Sequence, residues 1–137
     1  MMCEKNNAKL NVIPINDDGE LDLDELKKIV SKKTKIVFLN HVSNALGIIN
    51  PIEEIIKLSH ENGAYVLIDG AQSAAHFKID LQHLDVDFFT ASAHKLCGPT
   101  GIGFLYGKKE LLNKIEPLMG GGEMISDVTF EKTSYAD

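Results

Sequence analysis

Ser92-Ala93-His94-Lys95-Leu96 places an amine beside an imidazole and among small residues, and Gly98-Pro99-Thr100-Gly101 turns the chain straight afterwards. An apolar run, Val86-Asp87-Phe88-Phe89-Thr90-Ala91, leads in, and Ile102-Gly103-Phe104-Leu105-Tyr106 leads out. A lysine on a turn between two buried strands carries a charge that is expensive to bury unless it is paired or gives up its proton. A lysine without its proton is a nucleophile, and Schiff-base formation with a carbonyl cofactor is a chemistry suited to it. The plain alternative is a surface lysine with a hydrated head. Two further stretches weigh against it. Tyr65-Val66-Leu67-Ile68-Asp69-Gly70-Ala71-Gln72 ends a strand-like run on a carboxylate, at the strand end where open α/β sheets bind ligands. Such a carboxylate needs a cationic partner or several donors, and a protonated pyridine nitrogen is one such partner. His41-Val42-Ser43-Asn44-Ala45-Leu46-Gly47 follows another strand-like run, Ile36-Val37-Phe38-Leu39. Three strand ends therefore aim polar groups at one edge, and a lysine with an aspartate is the pair that a pyridoxal phosphate site requires.

The elements that must position these groups follow from periodicity and capping. Asp22, with Glu25 three residues on, forms a capping box that opens a helix. Leu23, Leu26, Ile29 and Val30 lie on one face of it, with Lys27, Lys28, Lys32 and Lys33 toward its end as a solvated cluster. Asn50-Pro51 supplies an N-cap and a first-turn proline for a second helix, whose inward face is Ile52, Ile55, Ile56 and Ser59. His60 falls in its last turn and is expected on the surface, complementing the dipole. The strand–helix–strand order predicts an α/β fold with a parallel sheet and right-handed crossovers. Leu10–Ile15 reads as a further short strand, placed at an edge or at a strand end by Pro14, and Asn16-Asp17-Asp18-Gly19 as a turn. The spacing predicts an exposed helix over 108–115, stopped by Pro117. Gly120-Gly121-Gly122 predicts a flexible tail running to Asp137. Gly70-Ala71-Gln72-Ser73-Ala74-Ala75 is small enough for backbone or ligand to come close.

The 137 residues suffice for one modest core, and the formal net charge of -6 speaks against nucleic acid or an anionic membrane as partner. No apolar run approaches a membrane span, and residues 1–7 lack the apolar region of a signal peptide, so the expected location is the cytoplasm. Cys3 and Cys97 make neither a disulfide framework nor a zinc pattern. Cys97 is expected as a small filler beside the lysine turn rather than a nucleophile. His76 and His83 have no partners at metal-ligand spacing, and no metal site is expected.

Five segments, in order and at their spacings, carry a resemblance. They are His41–Gly47, Asp69-Gly70-Ala71-Gln72, Ser92-Ala93-His94-Lys95-Leu96, Gly98-Pro99-Thr100-Gly101-Ile102-Gly103 and Gly120-Gly121-Gly122-Glu123-Met124-Ile125. Together they resemble the class V aminotransferase-fold enzymes, and among these the group II (SufS-like) cysteine desulfurases and selenocysteine lyases. The resemblance covers essentially the whole chain. It implies that residues 1–137 are part of the large domain of a fold-type I (aspartate aminotransferase-like) enzyme dependent on pyridoxal phosphate, an α/β fold with a mostly parallel sheet and flanking helices. It implies Lys95 as the Schiff-base lysine that afterwards shuttles protons, and Asp69 as the carboxylate that holds the pyridine nitrogen protonated. Gln72 would donate to the ring's phenolic oxygen, and Asn44 would contact that edge or the substrate carboxylate. Ser92 and His94 would bind the phosphate. The implied reaction moves sulfur from L-cysteine to an enzyme cysteine, releases alanine and passes the sulfur on, through a possible acceptor protein, to iron–sulfur cluster assembly. L-selenocysteine would react similarly, and the full-length enzyme would be a homodimer.

Some of the family's positions have no counterpart in this sequence. They are a phosphate-loop threonine and a ring-stacking histidine ahead of it, and beyond it the partner subunit's threonine, the reactive cysteine and a carboxylate-binding arginine. The chain is therefore expected to be an internal piece, inactive alone. Another class V enzyme, an aminotransferase or a kynureninase-like one, would share the lysine and aspartate, and a truncated non-catalytic module would keep the fold. Ser43–Gly47 and Gly98–Gly101 lean toward the desulfurases.

Overall fold

Val37 with Leu39, Val66 with Ile68 and Phe89 with Ala91 are buried at alternate positions, the period of a strand with one face on a core. A computed structural model describes residues 2–116, 121 and 123–136 and forms β1 (Ile36–Asn40), β2 (Tyr65–Asp69), β3 (Phe88–Ser92) and β4 (Gly103–Gly107), side by side in that order. β1 and β2 are parallel, with Ile36 opposite Tyr65 and Asn40 opposite Asp69. β3 adds in parallel, with Leu67 opposite Phe88 and Asp69 opposite Thr90. Beyond it, Ala93 N donates to Ile102 O at 3.0 Å and Thr90 Oγ1 donates to Phe104 O at 3.1 Å, so β4 runs back along β3. The link between them is too short for the crossover that a parallel return needs. The sheet is mixed, and its parallel part holds the strand ends of interest.

Among the described residues, three α-helices lie in the same unit: α1 (Met2–Lys5), α2 (Leu23–Ile29) and α3 (Ile52–Glu61). Asp22 caps α2, accepting from Glu25 N at 2.9 Å. Lys28 pairs with Glu25 at 3.0 Å and Lys27 with Glu54 at 3.6 Å, so the lysines are a solvated helix end as their spacing suggests. Ile52, Ile55, Ile56 and Ser59 are all buried, and with Leu26 and Val30 they close one face of the sheet. Ser59 Oγ donates to Ile55 O at 2.6 Å, which keeps a fully buried hydroxyl satisfied. Among the described residues, no helix is long and apolar enough to cross a membrane.

The chain divides into two compact units, Met1–Tyr106 and Gly107–Asp137. In the second, the expected helix over 108–115 shortens to α4 (Lys109–Leu112), with Leu111 buried. The expected flexible tail contains instead an antiparallel pair, β5 (Ile125–Val128) and β6 (Thr133–Tyr135), whose link is tightened by Thr129 N donating to Lys132 O at 2.8 Å. Pro117, Gly120 and Gly122 lie outside the described residues.

Other expectations change for reasons of pairing and burial. The strand expected at Leu10–Ile15 is reduced to one bridge, Ile15 to Leu21, and Leu10 and Val12 are 72% and 75% exposed. Alternation alone does not make a strand; a neighbouring ladder must accept it, and Pro14 has no N–H to give. The turn that follows does form, with Gly19 at φ +83 and its N–H donating to Asn16 O at 3.0 Å. Asn50 does not cap α3: it is buried, and its Nδ2 donates to Asn40 O at 2.8 Å and Asn40 Oδ1 at 3.0 Å. Pro51 takes the N-cap position.

His60 is not a free surface residue either. Its Nε2 lies 2.8 Å from Asp87 Oδ2, and Asp87, 4% exposed, also accepts from Val66 N at 2.7 Å. One carboxylate thus ties the end of α3 to the starts of β2 and β3. Removing it strands a buried backbone donor. Asp87→Ala is expected to lower unfolding stability by about 3 kcal/mol in urea titration, and Asp87→Asn by less, because the amide oxygen can still accept from Val66 N.

Candidate active site at the strand ends

The parallel register sets Asn40 and Asp69, the last residues of β1 and β2, abreast of Thr90, the middle residue of β3. Two loop bonds fasten the neighbours together: His41 N donates to Asp69 O at 2.9 Å, and Gly70 N donates to Thr90 O at 2.8 Å. Asp69, half-buried as the last residue of β2, accepts from Ala71 N through Oδ1 at 2.8 Å. This Asx-type turn fixes the carboxylate while leaving lone pairs on both oxygens for a cationic donor. Gln72, also half-buried, follows in a turn held by Ala74 N donating to Gly70 O at 2.8 Å.

Ser92 ends β3 and precedes a single 3₁₀ turn, Ala93–Leu96, that carries His94, exposed, and Lys95, half-buried. Gly98 N closes the turn on Ala93 O at 2.9 Å. Cys97 is exposed and left-handed, at φ +61, so its side chain does not fill space beside the turn as expected. Glycine at 103 is needed: a Cβ there would stand 2.7 Å from Ala91 O, and its absence lets β4 close on β3. Thr90, Ser92, His94, Gly101, Gly103 and Leu105 border an open groove of about 470 Å³. Asp69 and Lys95 are not among its lining residues, so the groove marks the Ser92–His94 half of the site.

Asn44 is exposed at the tip of the loop after β1. That loop is self-braced, with Ser43 N donating to Ile48 O and Gly47 N to Ser43 O, both at 2.9 Å. The structure thus joins Asp69 and Thr90 in one row, gathers Ser92 and His94 on one groove and hangs Asn44 on the adjoining loop.

Two residues near these strand ends have no role assigned from the sequence. Thr90, two positions before Ser92, shares its side of β3 by the strand period, a signal that was available. His41 was not assignable, because its role depends on burial: its Nδ1 is buried with no hydrogen-bond partner among the described residues, and its ring centroid lies 5.8 Å from that of Phe77, beyond Gln72.

The aminotransferase class-V family model matches residues 1–137. The chain belongs to that family. Over 128 residues this class V chain is 57% identical to a cysteine desulfurase of Synechococcus elongatus, a match covering 93% of this chain and 20% of that protein. The crystal structure of the cysteine desulfurase CsdA from Escherichia coli aligns with a TM-score of 0.93 and 40% identity over 99% of this chain and 34% of that one. The apo structure of a cysteine desulfurase from Thermococcus onnurineus NA1 aligns at 0.90 with 39% identity, again over 99% and 34%. The chain therefore spans between a fifth and about a third of the length of these relatives, and its sheet and helices match the aspartate aminotransferase-like fold of the cysteine desulfurases.

Enzymes of this class use pyridoxal phosphate. The donor set suits that group: a braced carboxylate for a pyridinium, a primary amine for an aldehyde, and hydroxyl and imidazole donors beside a groove for a phosphate.

Burial lowers the His41 pKa below the ordinary imidazole value of 6.5. The unfolded chain then binds the extra proton first, so the stability that comes from a neutral His41 is fully present above about pH 6.5 and is lost as pH falls below it. Thermal midpoints at pH 7.5 and 5.5 are expected to differ more for the wild type than for His41→Phe, which has no proton to take up.

Proposed function

We propose that residues 1–137 form the central part of the large, pyridoxal phosphate-binding domain of a cysteine desulfurase, with the small domain and the sulfur-accepting cysteine on other parts of the polypeptide. The observation that carries this is the row Asn40–Asp69–Thr90 with the Lys95 turn directly after β3, in a chain whose class V relatives are cysteine desulfurases. The substrate is L-cysteine or L-selenocysteine, which yields alanine. The sulfur goes first to an enzyme persulfide and then, through an acceptor protein, to iron–sulfur cluster assembly in the cytoplasm, and the enzyme works as a homodimer. When bound, pyridoxal phosphate supplies an electron sink for charge that develops on the substrate carbon.

The residues of this chain divide the remaining work. Lys95 would hold the cofactor covalently through Nζ and, once released by substrate, move a proton to and from the substrate carbon. Asp69, its Oδ1 braced by Ala71 N, would keep the pyridine nitrogen protonated by offering a fixed negative charge. Gln72 would donate to the ring's phenolic oxygen, and Asn44 would bind at that edge or at the substrate carboxylate. Ser92 and His94 would bind the phosphate, and their place on an open groove supports that role.

Borohydride reduction of the full-length protein with its cofactor, followed by peptide mass mapping, is expected to find the cofactor fixed to Lys95 and to nothing in Lys95→Ala. Label on another lysine would sink the assignment. The isolated 137-residue chain is expected to form no persulfide from cysteine, and persulfide on it would show that the catalytic parts are all within these residues.

A further inference from the structure

Val66 and Ile68 of β2 face the helix-covered core at 0% exposure, and the strand period places the α-carbon of Gly70 on that side while Asp69 faces the other. On the core side stands Phe89, opposite Ile68 in the register and 2% exposed. A Cβ on Gly70 would lie 1.8 Å from Phe89 Cζ, and 2.5 Å and 2.6 Å from its Cε2 and Cε1. Carbon atoms in contact need about 3.5 Å, so the end of the ring rests against Gly70 where any other residue would have a side chain. The ring itself has little room to withdraw, because it is buried and stacked with Phe104, centroids 6.4 Å apart. Gly70 is pinned on both sides: its N–H donates to Thr90 O at 2.8 Å, and the next amide, Ala71 N, donates to Asp69 Oδ1 at 2.8 Å. A shift of Gly70 is therefore passed directly to the carboxylate.

We propose that Phe89 is a positioning residue for Asp69, acting through the bare α-carbon of Gly70; this rests on the cofactor-binding role proposed for Asp69 above. Phe89 lies on the strand that delivers Ser92, His94 and Lys95, so one ring ties the height of the aspartate to the strand that carries the lysine. Gly70→Ala cannot push the ring away and instead lifts the Asp69 turn by on the order of 1.5 Å.

The test uses the full-length holoenzyme, in wild type, Gly70→Ala, Phe89→Leu and the double variant. The readouts are the pyridoxal phosphate dissociation constant and the pH titration of the bound cofactor's visible absorption band. Gly70→Ala is expected to weaken cofactor binding tenfold to about a hundredfold and to displace the titration, because misplacement on the ångström scale has effects of that size. Phe89→Leu removes the far edge of the ring, and the double variant is expected to return to within about threefold of Phe89→Leu alone, the non-additivity of residues in contact. Fold-changes that simply multiply would overturn the proposal. If Gly70→Ala does not fold, Phe89→Leu is compared with Val86→Ala, a buried change just ahead of the amino end of β3, the end away from the site. Weaker binding and a displaced titration in Phe89→Leu alone support the positioning role, and equal behaviour of the two overturns it. Failure of the wild type to bind pyridoxal phosphate overturns the cofactor role of the site and this proposal with it; a normal wild type with uncoupled variants overturns the positioning role alone.

Discussion

The parallel ladder from β1 to β3 is the constraint on which the rest of the site depends, because it decides which side chains stand abreast. With Asn40 opposite Asp69 and Asp69 opposite Thr90, the polar ends of β1 and β2 meet a threonine of β3 in one row. A slip of one residue would turn Asp69 toward the core and bring Ile68 to the rim, since side chains alternate faces with a period of two. The register is held on the core side by Val37, Leu39, Val66, Ile68, Phe89 and Ala91, all buried under α2 and α3. Burying each of the five larger side chains contributes roughly 1.5–3 kcal/mol, so a slip would forfeit many times the energy of any bond within the site.

Polar groups hold the loops that the ladder leaves loose. Asn50 bonds Asn40 at the carboxyl end of β1, and Asp87 bonds Val66 N and His60 at the opposite end of the sheet. Each sits where an unsatisfied buried group would be costly, so each fixes one arrangement of the chain around it. The face of the sheet away from the helices is different in kind. Ile36, Phe38 and Tyr65 are 53%, 62% and 46% exposed there, on the side to which the register also assigns Asp69 and Thr90. The candidate site therefore stands on the rim of the less covered face, open to whatever binds at the strand ends.

Residue type and order alone determined a good part of this. The helix faces were legible because Ile52, Ile55, Ile56 and Ser59 recur at helical spacing, and β1, β2 and β3 because short β-branched and aromatic runs end on polar residues. A lysine and an aspartate at fixed places along the chain suggested the chemistry, and the family resemblance of five segments implied the rest of the site. Other features were settled only by tertiary structure, because each depends on a partner remote in sequence. Leu10–Ile15 has the pattern of a strand and no ladder to join, His60 becomes half-buried by meeting Asp87, and Asn50 abandons a cap for Asn40. Gly70 shows the difference most directly: its sequence suggests room for backbone or a ligand, while the fold fills that room with the ring of Phe89, a contact that exists only once β2 and β3 have paired.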